Sequence, residues 1–319
     1  MAHRSVSFLL LLTVCLTSAI AFGQKPSCSL SSKLYAKDSI EITTFGASTV
    51  AGINGLQFQP YLKADFEACY PGKTVIVDNY GIPSQTTTQG LARFEQTIKN
   101  KKGFVLILMG LNDALAIVDG KMKIAETQSN MNKMVELALA YKLTPVIGTI
   151  QFLNPANNKR NQNANYVIRQ INRIYKMIAI NRKVYSTDIN AVLGRDFATL
   201  YQDATHPNAQ GNMRIAYAWF DTINLIIDEK LLLSGLSQNY PNPATGSTTI
   251  GFSLSKSNKV VLTLYNTAGA VVKTLTNSYF NSGYHEILFS TTDLAPGIYI
   301  YAMQTPTEQY VKKMVVVGR

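Results

Sequence analysis

Of the three histidines in the chain, only His206 stands in its middle region, within the stretch DATHPNAQG. Asp203 lies three residues earlier, within one turn of it. A carboxylate so placed can accept a ring N–H, fix the imidazole tautomer and stabilise an imidazolium. Such a pair makes a general base, and a base of this kind serves a nucleophile. Ser48, in FGASTVAG, offers a hydroxyl. A serine hydroxyl is a weak nucleophile at neutral pH until an adjacent base takes its proton. Its attack on an ester carbonyl builds a tetrahedral oxyanion, which calls for hydrogen-bond donors. Gly81, in NYGIPSQTT, can present an unobstructed backbone N–H, and Asn112, in GLND, a side-chain NH₂. The N–H of Ser48 itself, at the start of a helix, makes a third donor.

Each of these residues has a plainer reading alone. Ser48 can cap a helix, Gly81 can serve a turn, and Asn112-Asp113 can satisfy its own loop backbone. Their positions along the chain argue for the joint reading. Short apolar runs at 39–45, 73–80, 103–110, 143–150 and 183–189 read as strands, and amphipathic stretches at 56–70, 121–141, 162–181 and 209–230 read as helices. The run GFVLILMG does not alternate, so both of its faces are expected to be buried. Repeated strand–helix units predict an α/β fold with a three-layer α/β/α arrangement around a parallel sheet. In such sheets ligands bind beyond the carboxyl ends of the strands. Ser48, Gly81 and Asn112 each follow a predicted strand, and Asp203 and His206 precede the last predicted helix, so all are expected on one sheet edge.

The pattern changes near residues 231–238. LSQNYPNPATGSTT is rich in Asn, Pro, Ser, Thr and Gly and reads as a boundary linker. Six alternating runs follow, at 249–255, 259–266, 270–276, 285–290, 298–304 and 309–317, which predict a small all-β sandwich. The expected division is 1–23, 24–235 and 236–319. His285 begins one of these strands without an acid–serine set nearby and reads as structural.

Composition restricts the partners. The chain has 319 residues, 46% hydrophobic and 15% charged, enough to bury a substantial core. The net charge of +11 is spread out, without the basic stripe interleaved with aromatics that would mark nucleic-acid binding. The opening MAHRSVSFLLLLTVCLTSAIAFGQ reads as a secretory signal: Arg4, an apolar stretch too short to span a bilayer, then Ala19-Ile20-Ala21 as a cleavage site. No other stretch reads as a transmembrane segment. Cys28 and Cys69 then remain, and export permits a disulfide between them or leaves each as a small apolar filler. No His/Cys/Asp/Glu cluster has metal-ligand spacing and no glycine-rich phosphate loop occurs, so neither metal nor cofactor is expected.

GASTVAG (46–52), NYGIPSQTT (79–87), GLND (110–113) and DATH (203–206), in that order, resemble the four sequence blocks of the SGNH hydrolases, also called GDSL-type esterases and lipases. The resemblance covers about residues 38–230. It implies that Ser48 is the nucleophile of a triad with Asp203 and His206, and that Gly81 and Asn112 are oxyanion donors with Ser48. Ala47 stands where the family has Asp. That Asp is not a triad member, so the departure bears on subfamily and substrate rather than on activity. Asp113 reads as orienting its loop. The expected function is that of a secreted serine esterase acting on short-chain acyl or acetyl esters, including those on carbohydrates. A lipid or aryl esterase of lysophospholipase-like character is the first alternative, and a noncatalytic surface carbohydrate-binding protein the second. The polar segment 152–166 is placed to overhang the site and can meet sugar hydroxyls or solvent. Residues 236–319, with NYPNP, LAPGIYIYAM and the terminal KKMVVV, resemble a type A C-terminal sorting domain of the type IX secretion pathway. This implies a Bacteroidetes-type bacterium, periplasmic transit, contact with that secretion machinery, and a secreted or cell-surface destination.

Overall fold

The computed structural model describes Cys28, Ser32 and residues 34–318. The expected signal segment, 1–23, lies outside the described residues. Five parallel strands form the first sheet: β1 (Ser39–Gly46), β2 (Thr74–Gly81), β3 (Phe104–Leu108), β4 (Thr144–Gly148) and β5 (Tyr185–Thr187), in the order β2-β1-β3-β4-β5. The order turns back at β1, whose two neighbours are β2 and β3. Crevices open at such a switch point.

Nine helices accompany the sheet among the described residues. They are α1 (Ser48–Ala51), α2 (Gln59–Cys69), α3 (Thr87–Ile98), α4 (Leu111–Val118), α5 (Ile124–Ala140), α6 (Lys159–Arg182), α7 (Ile189–Leu193), α8 (Phe197–Leu200) and α9 (Ala209–Lys230). Strand β3 is buried along its whole length. Phe104, Leu106 and Leu108 join Phe66, Trp219 and Phe220 of α2 and α9 on one face. Val105 and Ile107 join Phe94, Met134 and Ile171 of α3, α5 and α6 on the other. The missing alternation in its sequence thus reflects two apolar layers, one per face. Cys28 and Cys69 form a disulfide that ties the segment before β1 to the end of α2.

The second unit contains β6 (Gly235–Leu236), β7 (Tyr240–Thr245), β8 (Ser247–Leu254), β9 (Asn258–Tyr265), β10 (Val271–Phe280), β11 (Gly283–Ser290), β12 (Gly297–Gln304) and β13 (Gln309–Val316). One layer is β10-β9-β12-β13, and the other contains β8, β11 and β6, with β7 joining the two. Ile250, Phe252 and Leu254 from one layer meet Leu262, Tyr301, Met303 and Met314 from the other, which makes a sandwich core.

Gly235 pairs with Ser253 at the start of the β unit. One detail differs from the sequence reading: the Pro- and Asn-rich stretch contains a strand, β7, where only a linker was expected. The physical reason is Asn239, which is buried and hydrogen-bonded on several sides. Its N–H donates to the Tyr301 hydroxyl at 2.8 Å, and its Nδ2 to the Pro241 carbonyl at 3.0 Å and Thr248 Oγ1 at 2.9 Å. The prolines lack N–H groups, so side chains satisfy the backbone here where a ladder cannot.

Candidate active site

Four loops meet at the carboxyl edge of the parallel sheet. Strand β1 ends at Gly46, and Ser48 opens α1 two residues later, 9% exposed. Ser48 Oγ lies 3.0 Å from His206 Nε2, and His206 Nδ1 lies 2.8 Å from Asp203 Oδ2. Asp203 Oδ1 accepts two backbone N–H groups at 2.7 Å each, from Thr205 and from His206. Burial pushes the Asp203 carboxyl up, but the hydrogen bonds from the His206 ring and from the two amides outweigh it and hold the group below the usual carboxylate range. An ionised carboxylate can only accept. His206 Nδ1 therefore carries the hydrogen, and Nε2 is left to accept from the Ser48 hydroxyl.

The DATH loop is braced from both sides. Gln202 N–H donates to the His206 carbonyl at 2.9 Å, and Asn154 N–H donates to the Ala204 carbonyl at 2.8 Å. Asn208 caps α9 immediately downstream, accepting from Gly211 N–H at 3.0 Å. Buried Gln151, beyond β4, donates to Thr49 Oγ1 at 2.7 Å beside the serine. These bonds fix the imidazole by its backbone and not by its Asp partner alone.

The three residues read as oxyanion donors fare differently. Ser48 is the first residue of α1 and Asn112 the second of α4. Asn112 Nδ2 donates to the Gln85 carbonyl at 2.9 Å, which fixes the amide plane and leaves its second N–H without a bond to the described protein. The N–H of Gly81 is already taken by Asn79 Oδ1 at 2.9 Å. The need for glycine there is one of space: a Cβ on Gly81 would stand 2.0 Å from the Ala51 nitrogen, so the end of β2 could not lie against α1. In this structure the Gly81 N–H is bonded within its own strand end. Ser84, three residues on, holds a left-handed φ of 65°, and its N–H makes no hydrogen bond among the described residues. Such a φ is usually signalled by Gly or Asn, so the sequence does not show this turn.

Asp113 is fully buried beneath the site. It accepts from Thr87 N–H at 2.9 Å, from Thr127 Oγ1 at 3.0 Å and from the Thr87 hydroxyl, so it joins α4 to the starts of α3 and α5. Burial pushes its carboxyl up, and these hydrogen bonds pull the other way without cancelling the rise. His285 lies in the β unit, where its Nε2 is 2.8 Å from the Asn281 carbonyl. No group of three or more His, Cys, Asp or Glu among the described residues is arranged to hold a metal ion.

Residues 44–214 match the GDSL-like lipase/acylhydrolase family, and residues 238–317 match a secretion system C-terminal sorting domain. An acetylxylan esterase of Geobacillus stearothermophilus is 26% identical over 181 residues, which span 54% of this chain and 83% of that relative. A crystal structure of an acetylxylan esterase from that organism superposes with a TM-score of 0.50 at 20% identity, covering 60% of this chain and 96% of the other. Among the described residues no helix is long and apolar enough to cross a membrane.

Proposed function

The chain belongs to the GDSL-like lipase/acylhydrolase family, and from that premise we propose that it is an exported serine esterase that removes short acyl groups, acetyl foremost, from carbohydrate. The observation that carries the reading is the unbroken hydrogen-bonded line Ser48–His206–Asp203, with 3.0 and 2.8 Å links. In the proposed cycle Ser48 Oγ attacks the ester carbonyl while its proton passes to His206 Nε2. The tetrahedral oxyanion collapses, His206 returns the proton to the departing alkoxide, and an acyl-enzyme remains on Ser48. Water, deprotonated by the same nitrogen, then adds to the acyl carbonyl; the bond to Ser48 Oγ breaks, the proton returns from His206 to that oxygen, and the carboxylic acid leaves. Asp203 stays ionised throughout and holds the imidazolium. We assign the oxyanion donors to Ser48 N–H and Asn112 Nδ2. Gly81 can join only if Asn79 lets go of its N–H.

The preference for a small acyl group is supported by the crevice lined by Ser48, Thr49, Ile53, Leu56, Gln202 and His206, which encloses only about 150 Å³. The acetylxylan esterase relative adds the carbohydrate half of the reading. The sorting domain supports export through the type IX machinery to the medium or the cell surface. The test is a series of p-nitrophenyl esters of rising acyl length beside acetylated xylo-oligosaccharides. Acetyl is expected to give the highest kcat/KM in the series, with acetate released from the oligosaccharide. A maximum at long acyl chains without acetate release would favour a lipid esterase, and no turnover of any ester would favour a binding protein.

Asn112→Ala is expected to lower kcat by about 10²–10³-fold with a smaller change in KM, because the contact it supplies forms mainly in the transition state. Steady-state kinetics on the acetyl ester check this. An effect on KM alone would make Asn112 a substrate-binding residue instead.

A further inference from the structure

Helix α3 carries a side chain that touches three parts of the site at once. Arg93 Nη2 donates to the Gly46 carbonyl and to the Tyr80 carbonyl, each at 3.0 Å, and Arg93 Nε donates to Gln85 Oε1 at 2.7 Å. Its guanidinium lies 4.0 Å from the centre of the Phe45 ring, which it covers. Each acceptor has a place in the chemistry. Gly46 is the last residue of β1, two before Ser48. Tyr80 and Gln85 flank the turn that contains Ser84. The carbonyl of Gln85 is also the acceptor that fixes Asn112 Nδ2. The helix that supplies Arg93 is itself anchored beneath Asn112, since Thr87 at its first turn donates to Asp113. The serine loop, the turn and the asparagine amide are thus joined through one planar cation with several fixed donors.

We propose that Arg93 is a positioning residue that sets the oxyanion donors at their working distance from Ser48. This rests on the reading of Ser48 and Asn112 given above. Arg93 acts through the carbonyls and the amide it holds. Misplacement of a catalytic donor by an ångström is enough to slow an enzyme substantially without preventing substrate from binding. Lysine keeps the charge at this position but presents no planar fork, so it can restore only part of the arrangement.

The experiment compares Arg93→Met and Arg93→Lys with the unmodified full chain on p-nitrophenyl acetate, with active sites counted by fluorophosphonate titration so that misfolded molecules drop out. For Arg93→Met the expected result is a fall in kcat per titrated site of about 10–10²-fold, with KM within about threefold and Arg93→Lys intermediate. The same substitution placed in an Asn112→Ala background is expected to cost much less, because the donor it positions is already gone. A kcat per titrated site within about twofold of the unmodified chain overturns the proposal, as does a loss fully additive with that of Asn112→Ala. A Ser48→Ala chain is assayed in parallel. Undiminished turnover there overturns the serine mechanism itself, and with it this inference, whereas additivity with Asn112 overturns only the role of Arg93.

Discussion

Ser48→Ala is expected to lower kcat for ester hydrolysis by about 10⁴–10⁶-fold and to leave the fold intact. Ser48 Oγ has His206 Nε2 as its side-chain partner, so the change removes a reacting atom and one hydrogen bond without opening the apolar core. His206→Ala is expected to cost nearly as much, since the hydroxyl then has no base within reach. The double variant should cost little beyond either single one, because the two groups act in the same step. Steady-state kinetics, with circular dichroism to monitor the fold, decide the matter. Additive losses would mean that the two side chains do not share a step.

Asp203→Asn has the next largest expected effect, about 10⁴-fold in kcat. The carboxamide oxygen can still accept the Thr205 and His206 amides, so the loop keeps its shape. Its NH₂, however, would face His206 Nδ1 and favour the tautomer with the hydrogen on Nε2. That nitrogen could then no longer accept the serine proton. The same substitution has a consequence for stability against pH. The folded-state pKa of Asp203 lies below the usual carboxylate range, so its contribution is present above the unfolded pKa and is lost as the pH falls through the folded one. Asp203→Asn is expected to remove that share of the acid-side decline in Tm. Melting curves across the acid range test it, and an unchanged pH profile would mean that the ionised carboxylate does not support the loop.

Much of the fold was legible because each layer leaves its own signature. The unbroken apolar run of β3 meant two covered faces, and the alternation after residue 249 meant a sandwich with one covered face per layer. Ser48, Gly81 and Asn112 could be picked out because each follows a strand end, and Asp203 and His206 because they precede the last helix of the same sheet. Ser48, Asp203 and His206 come within hydrogen-bonding reach from positions 158 residues apart and three residues apart. What stayed hidden depends on long-range backbone geometry. Gly81 looked like a donor, and only the fold reveals that Asn79 occupies its N–H. Ser84 carries no glycine signal for its left-handed backbone. Arg93 reads as one more polar residue on an amphipathic helix, since its acceptors lie at the ends of β1 and β2 and in the turn before α3, up to 47 residues away. The strand at Tyr240–Thr245 was masked by its prolines, and a buried asparagine rather than a hydrophobic pattern holds it.

The central claim is that an acyl group resides on Ser48 during turnover, and its most direct test is mass spectrometry of the enzyme labelled with a fluorophosphonate, which mimics the acyl-enzyme. The account predicts one adduct per molecule, located by peptide mapping on the segment that contains Ser48, absent from Ser48→Ala, and formed in step with the loss of esterase activity. An active enzyme that takes no label, or one whose inactivating label maps to any other residue, would contradict it.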